Sequence, residues 1–170
     1  QNHLYLTEDN FGFPSGFYRF RPRFNPMRKG HLVNRGRLQM LAVRGMPNAD
    51  LAAAQPEGAS YDVRWVDIDE PDPSFPYTPG ETAPTANDTA INFVGEQGRA
   101  QGAAGFSRLE GAYYANGIIY FTSTQGGGAA ETPPGPIADG WGNGNGQVWA
   151  YRIRSRRLKL IAQSPGPQAL

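Results

Sequence analysis

Arg108 and Glu110 are the residues of this 170-residue sequence best suited to hold an anion and a cation side by side. They stand in the run Phe106-Ser107-Arg108-Leu109-Glu110-Gly111-Ala112. On a strand, residues two apart send their side chains from one face. A guanidinium can grip two phosphate oxygens through its planar fork, while a carboxylate beside it binds a hard cation that neutralises the remaining charge. Gly105 before the pair and Gly111-Ala112 after it leave little bulk, which suits a close-lying ligand. Glu8-Asp9 closes an earlier apolar run and adds two carboxylates; acids gathered at one end of a β-rich fold make a cage for calcium. The plainer reading of the same residues is a same-face ion pair and an acidic strand end facing water.

Composition narrows the chemistry. There is no Cys and there are only two His, so thiolate metal sites and a His-rich zinc site are excluded within this stretch, and any metal would be bound through oxygen. Sixteen basic against fifteen acidic side chains leave a formal net charge of +1, which removes a global electrostatic argument for nucleic acid or an anionic membrane as partner. No apolar stretch approaches the roughly 20 residues needed to span a bilayer, and the first residues do not read as a signal peptide, so a soluble chain is expected.

The elements that would position these side chains are short strands. Twenty-two Gly and fifteen Pro punctuate apolar runs, which favours strands joined by turns. Residues 108–114 read as a strand, Asn116-Gly117 as a hairpin turn, and 118–123 as the returning strand. A Gly-rich loop over 125–146 leads to a strand at 147–154, and a turn near Ser155-Arg156 gives a fourth at 157–162. Four antiparallel strands in sequence make one propeller blade.

The first 45 residues repeat this pattern: Leu4-Tyr5-Leu6-Thr7 matches Ile119-Tyr120-Phe121-Thr122, Tyr18-Arg19-Phe20 matches Tyr151-Arg152-Ile153, and 37–42 takes the place of 157–162. The expected fold is therefore an all-β propeller fragment of about two four-stranded antiparallel blades, the first lacking its innermost strand. Residues 1–45 form the incomplete blade, 46–105 a loop-rich connection, 106–164 the complete blade and 165–170 the start of the next connection. Within the connection, 62–69 alternates as a strand, 71–84 is turn-rich, and 88–101 reads as a short helix with Asp88 as N-cap, against which Gly95 and Gly98 argue. A propeller blade cannot bury both faces alone, so the rest of a propeller is expected to complete the fold.

The order of these motifs resembles the PhoX-type alkaline phosphatase family. The resemblance is carried by the run 106–112, by Gly117-Ile118-Ile119-Tyr120-Phe121-Thr122-Ser123-Thr124, and by Gly146-Gln147-Val148-Trp149. It is carried too by the opening Leu4-Tyr5-Leu6-Thr7-Glu8-Asp9-Asn10 with Gly16-Phe17-Tyr18-Arg19-Phe20, whereas 46–87 matches little. The resemblance implies a β-propeller phosphomonoesterase, periplasmic or extracellular, that uses calcium and iron, acts on small phosphate esters and works as a monomer. It implies that Arg108 holds the substrate phosphate and that Glu110 and Asp9 are metal ligands, with Glu8 a further candidate.

That family also uses a cysteine iron ligand and a His-Glu motif upstream of this stretch, and a Pro-Asp-Asn motif downstream. With no Cys, an intact iron centre cannot be assembled from these residues, and the chain alone is expected to be inactive. A calcium-dependent propeller hydrolase of another class, such as a lactonase, and a non-catalytic propeller binding module remain open alternatives.

Other features read as supporting structure. The basic run Arg19, Arg21, Arg23, Arg28 and Lys29, and the cluster from Arg152 to Lys159, read as solvated faces. The glycine clusters at 126–128 and 140–146 lack the strand-to-helix context of a nucleotide-binding loop and are taken as mobile loops, with Trp141 a candidate to line the mouth.

Overall fold

Turn chemistry and alternating apolar residues build eight strands. They are β1 (Leu4–Thr7), β2 (Phe17–Pro22), β3 (Gly36–Val43), β4 (Ser60–Asp67), β5 (Leu109–Ala115), β6 (Ile118–Ser123), β7 (Gln147–Arg152) and β8 (Arg157–Gln163). A single helical turn, α1 (Pro26–Lys29), and a fourteen-residue helix, α2 (Asn87–Ala100), complete the elements. The computed structural model describes residues 3–32, 35–75, 87–130 and 140–165. Most of the turn-rich stretch expected at 71–84, part of the Gly-rich loop at 131–139, and 166–170 lie outside these residues, as does the side chain of Asp88.

The β5–β6 hairpin forms as its sequence demands: Asn116 and Gly117 both take positive φ, 48° and 80°, as a type I′ turn requires. Arg156 does the same between β7 and β8, at φ 53°.

The strands form one antiparallel sheet in the order β1-β2-β3-β4-β8-β7-β6-β5. It consists of two four-stranded meanders joined where Ser60, Tyr61 and Asp62 pair with Lys159, Leu158 and Arg157. At the other side of the sheet β5 comes back to β1: the amide of Leu109 donates to Glu8 O at 3.1 Å and Thr7 Oγ1 donates to Glu110 O at 2.7 Å. The sheet is thus all-β, nearly closed and barrel-like, and compatible with a section of a propeller. β4 lies in what the sequence presents as a loop-rich connection, and it is the fourth strand of the first meander.

The two meanders share one core. Phe17 stacks on Phe121 with centroids 4.3 Å apart, Phe106 sits edge-on to Phe121 and Trp149, and Trp65 Nε1 donates to Tyr151 Oη at 3.3 Å. The first meander buries its outer face as well, where Tyr18, Met40, Ala42, Val66 and Ile68 pack with Val94 of α2. Gly98 permits this, because a Cβ there would run into the buried Met40 side chain. The glycine that argues against a helix by propensity is therefore what lets the helix lie on the sheet.

Two expectations are corrected. Residues 126–128 and 140–146 do not form open loops but interlock backbone to backbone. Gly144 N donates to Gln125 O at 2.7 Å, Gly146 N to Gly126 O at 2.9 Å and Gly127 N to Ala52 O at 2.7 Å, and Trp141 is buried. Side chains at the Gly128 and Gly144 positions would collide with facing backbone, so close packing is what the glycines serve. Nor is Arg19 on a solvated face: it follows Phe17 on the inward side of β2 and lays its guanidinium 4.6 Å from the Trp65 ring centroid. Among the described residues no helix is long and apolar enough to cross a membrane.

Candidate functional site

Arg108 is held by the meeting of three chain segments. Ser15 and Phe106 exchange backbone hydrogen bonds of 2.8 and 2.9 Å, and the Leu109–Glu8 and Thr7–Glu110 bonds continue that clip along β1. On the other side Thr124 N donates to Arg108 O at 3.0 Å. The preceding residue, Ser107, is fully buried; its hydroxyl donates to Trp141 O and its amide to Ser123 Oγ at 3.3 Å. Within this frame Arg108 takes φ 44°, a left-handed conformation that costs a non-glycine residue about 1–2 kcal/mol.

Position 108 therefore precedes β5 instead of lying in it, and the β5–β6 register shifts between Leu109 and Ala112. Arg108 and Glu110 do come together, but through a left-handed residue and an irregular strand start, not through regular pleating.

Arg108 faces two carboxylates. Its Nε donates to Asp9 Oδ1 at 2.9 Å and its Nη2 to Asp9 Oδ2 at 3.1 Å, a two-point fork grip, while Nη2 also lies 3.6 Å from Glu110 Oε1. Glu110 Oε1 accepts from Thr124 Oγ1 at 2.9 Å, and the Arg108 guanidinium sits 5.8 Å from the Phe11 ring centroid. The hydrogen bonds to Asp9, foremost, and the two negative charges raise the proton affinity of Arg108 above its ordinary value. The cluster is at the surface, with the Arg108 side chain 32% exposed.

Glu8 points elsewhere. Its Oε2 accepts from Gly16 N at 2.6 Å and from Tyr18 Oη at 3.1 Å, on the side of Arg99. Burial raises its pKa above the ordinary carboxylate value, against the lowering effect of those two hydrogen bonds and of Arg99. Burial and the neighbouring Glu8 push the Tyr18 hydroxyl up in turn. Of the four sequence candidates, the fold brings Asp9, Arg108 and Glu110 together and keeps Glu8 apart.

Chemically, the cluster offers a guanidinium fork already shaped around a two-oxygen anion, because Asp9 occupies it as two phosphate oxygens would. Asp9 and Glu110 are partly exposed oxygen donors of the kind a calcium ion takes, with Thr124 Oγ1 against Glu110. They fit the edge of a hard-cation site. An iron centre does not fit: the sequence has no Cys, and among the described residues no group of three or more His, Cys, Asp or Glu could hold a metal ion. Sequence reasoning missed Thr124, Phe11 and the serine pair Ser107–Ser123. Ser107 lies in the 106–112 run and Ser123 and Thr124 in the 117–124 motif, but nothing in those runs assigned them a part.

The family model described as Alkaline phosphatase PhoX matches residues 1–169 of the chain. No curated protein and no solved structure matches the chain.

Proposed function

The chain belongs to the PhoX alkaline phosphatase family, and on that premise we propose that it is part of a metal-dependent phosphomonoesterase that uses calcium and iron, in which Arg108 grips the substrate phosphate. The observation that carries this reading is the fork of Arg108 closed on both oxygens of Asp9, with Glu110 against the same Nη2.

Asp9 and Glu110 are the residues that would hold a calcium ion, and no residue of this chain is assigned to iron. Bound cations would supply Lewis-acid stabilisation of the phosphoryl charge. In the reaction, Arg108 exchanges Asp9 for two non-bridging phosphoryl oxygens and so orients the ester for displacement of its alcohol by water. As the P–O ester bond lengthens, charge accumulates on those oxygens, and the fixed guanidinium stabilises it. Ser107, Ser123 and Thr124 position Arg108 by bonding the backbone around it, and the left-handed φ aims its side chain. The substrates are small phosphate esters, and the parent protein is exported to the periplasm or the cell exterior as a monomer.

The test is hydrolysis of a chromogenic phosphate monoester by the full-length protein in calcium. Arg108→Ala should lower the rate by about 100-fold or more. An unchanged rate overturns the assignment of Arg108, and preferential turnover of a lactone overturns the reaction class.

A further inference from the structure

A second cationic site lies at the opposite end of the strands. Leu4 pairs with Phe20 and Thr7 with Phe17, so Asp9 extends beyond one end of β1 while His3 and the continuation of β2 lie at the other. There the inward row Phe17, Arg19, Arg21 leaves the aromatic core and opens into a cavity of about 340 Å³, lined by His3, Arg19, Arg21, Arg23 and Arg156 with Phe24 at its wall. Arg156 reaches it from the β7–β8 turn, in the second meander.

Among the described residues no carboxylate lines this cavity, and Arg21, Arg23 and Arg156 form no ion pair. Arg19 is fixed by its stacking on Trp65 and by Nε donating to Gln39 Oε1 at 2.7 Å. Nδ1 of His3 is buried without a hydrogen-bond partner, as is the hydroxyl of Tyr5, whose ring lies edge-on to His3 at 6.3 Å. Four guanidinium groups with so few counter-charges repel one another, and such an arrangement is relieved by an anion. A second hollow, lined by Arg21, Arg23, Arg35 and Arg37, shares a wall with the first, so the positive field extends outward.

We propose that this cavity is an anion site distinct from the Arg108 cluster, and that it takes the diphosphate group of a small molecule. Guanidinium forks match paired phosphoryl oxygens. A single phosphate group brings roughly −1.5 to −2, which leaves much of the charge of four arginines unmatched; a diphosphate comes closer. The cavity is of a size for a compact ligand. Free pyrophosphate and a nucleoside diphosphate share this chemistry. The site needs no phosphatase activity to exist.

The experiment is calorimetric titration of the full-length protein with pyrophosphate, ADP, orthophosphate and sulfate at fixed ionic strength. Saturable pyrophosphate binding, at least tenfold tighter than that of sulfate or orthophosphate, is expected. Arg21→Gln with Arg156→Asn should weaken it tenfold or more. Asn tolerates the left-handed turn at 156, and Arg21 is exposed, so the fold survives, as a thermal melt will verify. In Arg108→Ala the pyrophosphate binding that depends on Arg21 and Arg156 should remain, which separates this site from the Arg108 cluster. Equal affinity for ADP assigns recognition to the diphosphate alone, and tighter ADP binding assigns a nucleotide source.

A second readout is His3, whose proton affinity is held down by burial and by Arg19 and Arg21. Its imidazole titration, followed by NMR, should move to higher pH with pyrophosphate. Absence of saturable binding, sulfate binding as tightly as pyrophosphate, or undiminished binding in the double variant overturns the proposal.

Discussion

Asp9 and Arg108, ninety-nine positions apart, meet through two hydrogen bonds of 2.9 and 3.1 Å along the Nε–Nη2 edge of the guanidinium. If Arg108 grips phosphate as proposed, Asp9 and phosphate compete for that edge of the arginine. An exposed ion pair is worth up to about 1 kcal/mol. Asp9→Ala, assayed by calorimetry with inorganic phosphate in a chelating buffer, should therefore bind phosphate about two- to fivefold more tightly than the parent. The gain should vanish in the background of Arg108→Ala. Weaker binding after Asp9→Ala would mean that the carboxylate supports the site without occupying it.

Glu8 tests whether its buried carboxylate serves the fold. Its folded pKa is raised, chiefly by burial, above the ordinary 4.5. Between that value and the raised one the folded state binds more protons than the unfolded chain, so this group's contribution to stability is full below 4.5 and is lost as pH rises through the folded pKa. Glu8→Gln keeps an acceptor for Gly16 N and Tyr18 Oη and removes the charge. Its melting temperature should exceed the parent's by a few degrees at pH 7–8, with the difference closing toward pH 4. A lower melting temperature at neutral pH would show that attraction to Arg99 outweighs the cost of burial.

Gly98 tests the seat of α2. On an open helix face Gly→Ala stabilises by about 0.5–1 kcal/mol. Here the new methyl would meet the side chain of Met40, which is fully buried and would have to shift within the core. Gly98→Ala should destabilise by about 1–3 kcal/mol in denaturant unfolding. Met40→Ala combined with it should cost less than the two changes summed, because they share one contact. A stabilised Gly98→Ala would mean that the helix shifts freely on the sheet.

The strands themselves were legible because their signals are local. Asn116-Gly117 specified its turn through the positive φ that both positions need, and 118–123 and 4–7 declared themselves by their apolar runs. The helix was legible too, except that Gly95 and Gly98 counted against it; a residue's propensity says nothing of the side chain across from it. Arg19 was misread for the same reason, whereas Arg21 is exposed as expected. The run of alternating arginines did not tell that Arg19 lies over Trp65.

By itself, then, the sequence determined the all-β class, the placing of its eight strands, and a group of interest made of Asp9, Arg108 and Glu110 with Glu8 still among them. Backbone conformation and hydrogen-bonding capacity are properties of short segments, and the motifs carried them. Tertiary structure alone decided that β4 pairs with β8, that Asp9 closes on Arg108 while its neighbour Glu8 turns inward, and that a left-handed backbone at position 108 aims the guanidinium. Each of these depends on which distant segment packs alongside, a choice made by the shared aromatic core around Phe17 and Phe121 and not by any stretch of chain alone.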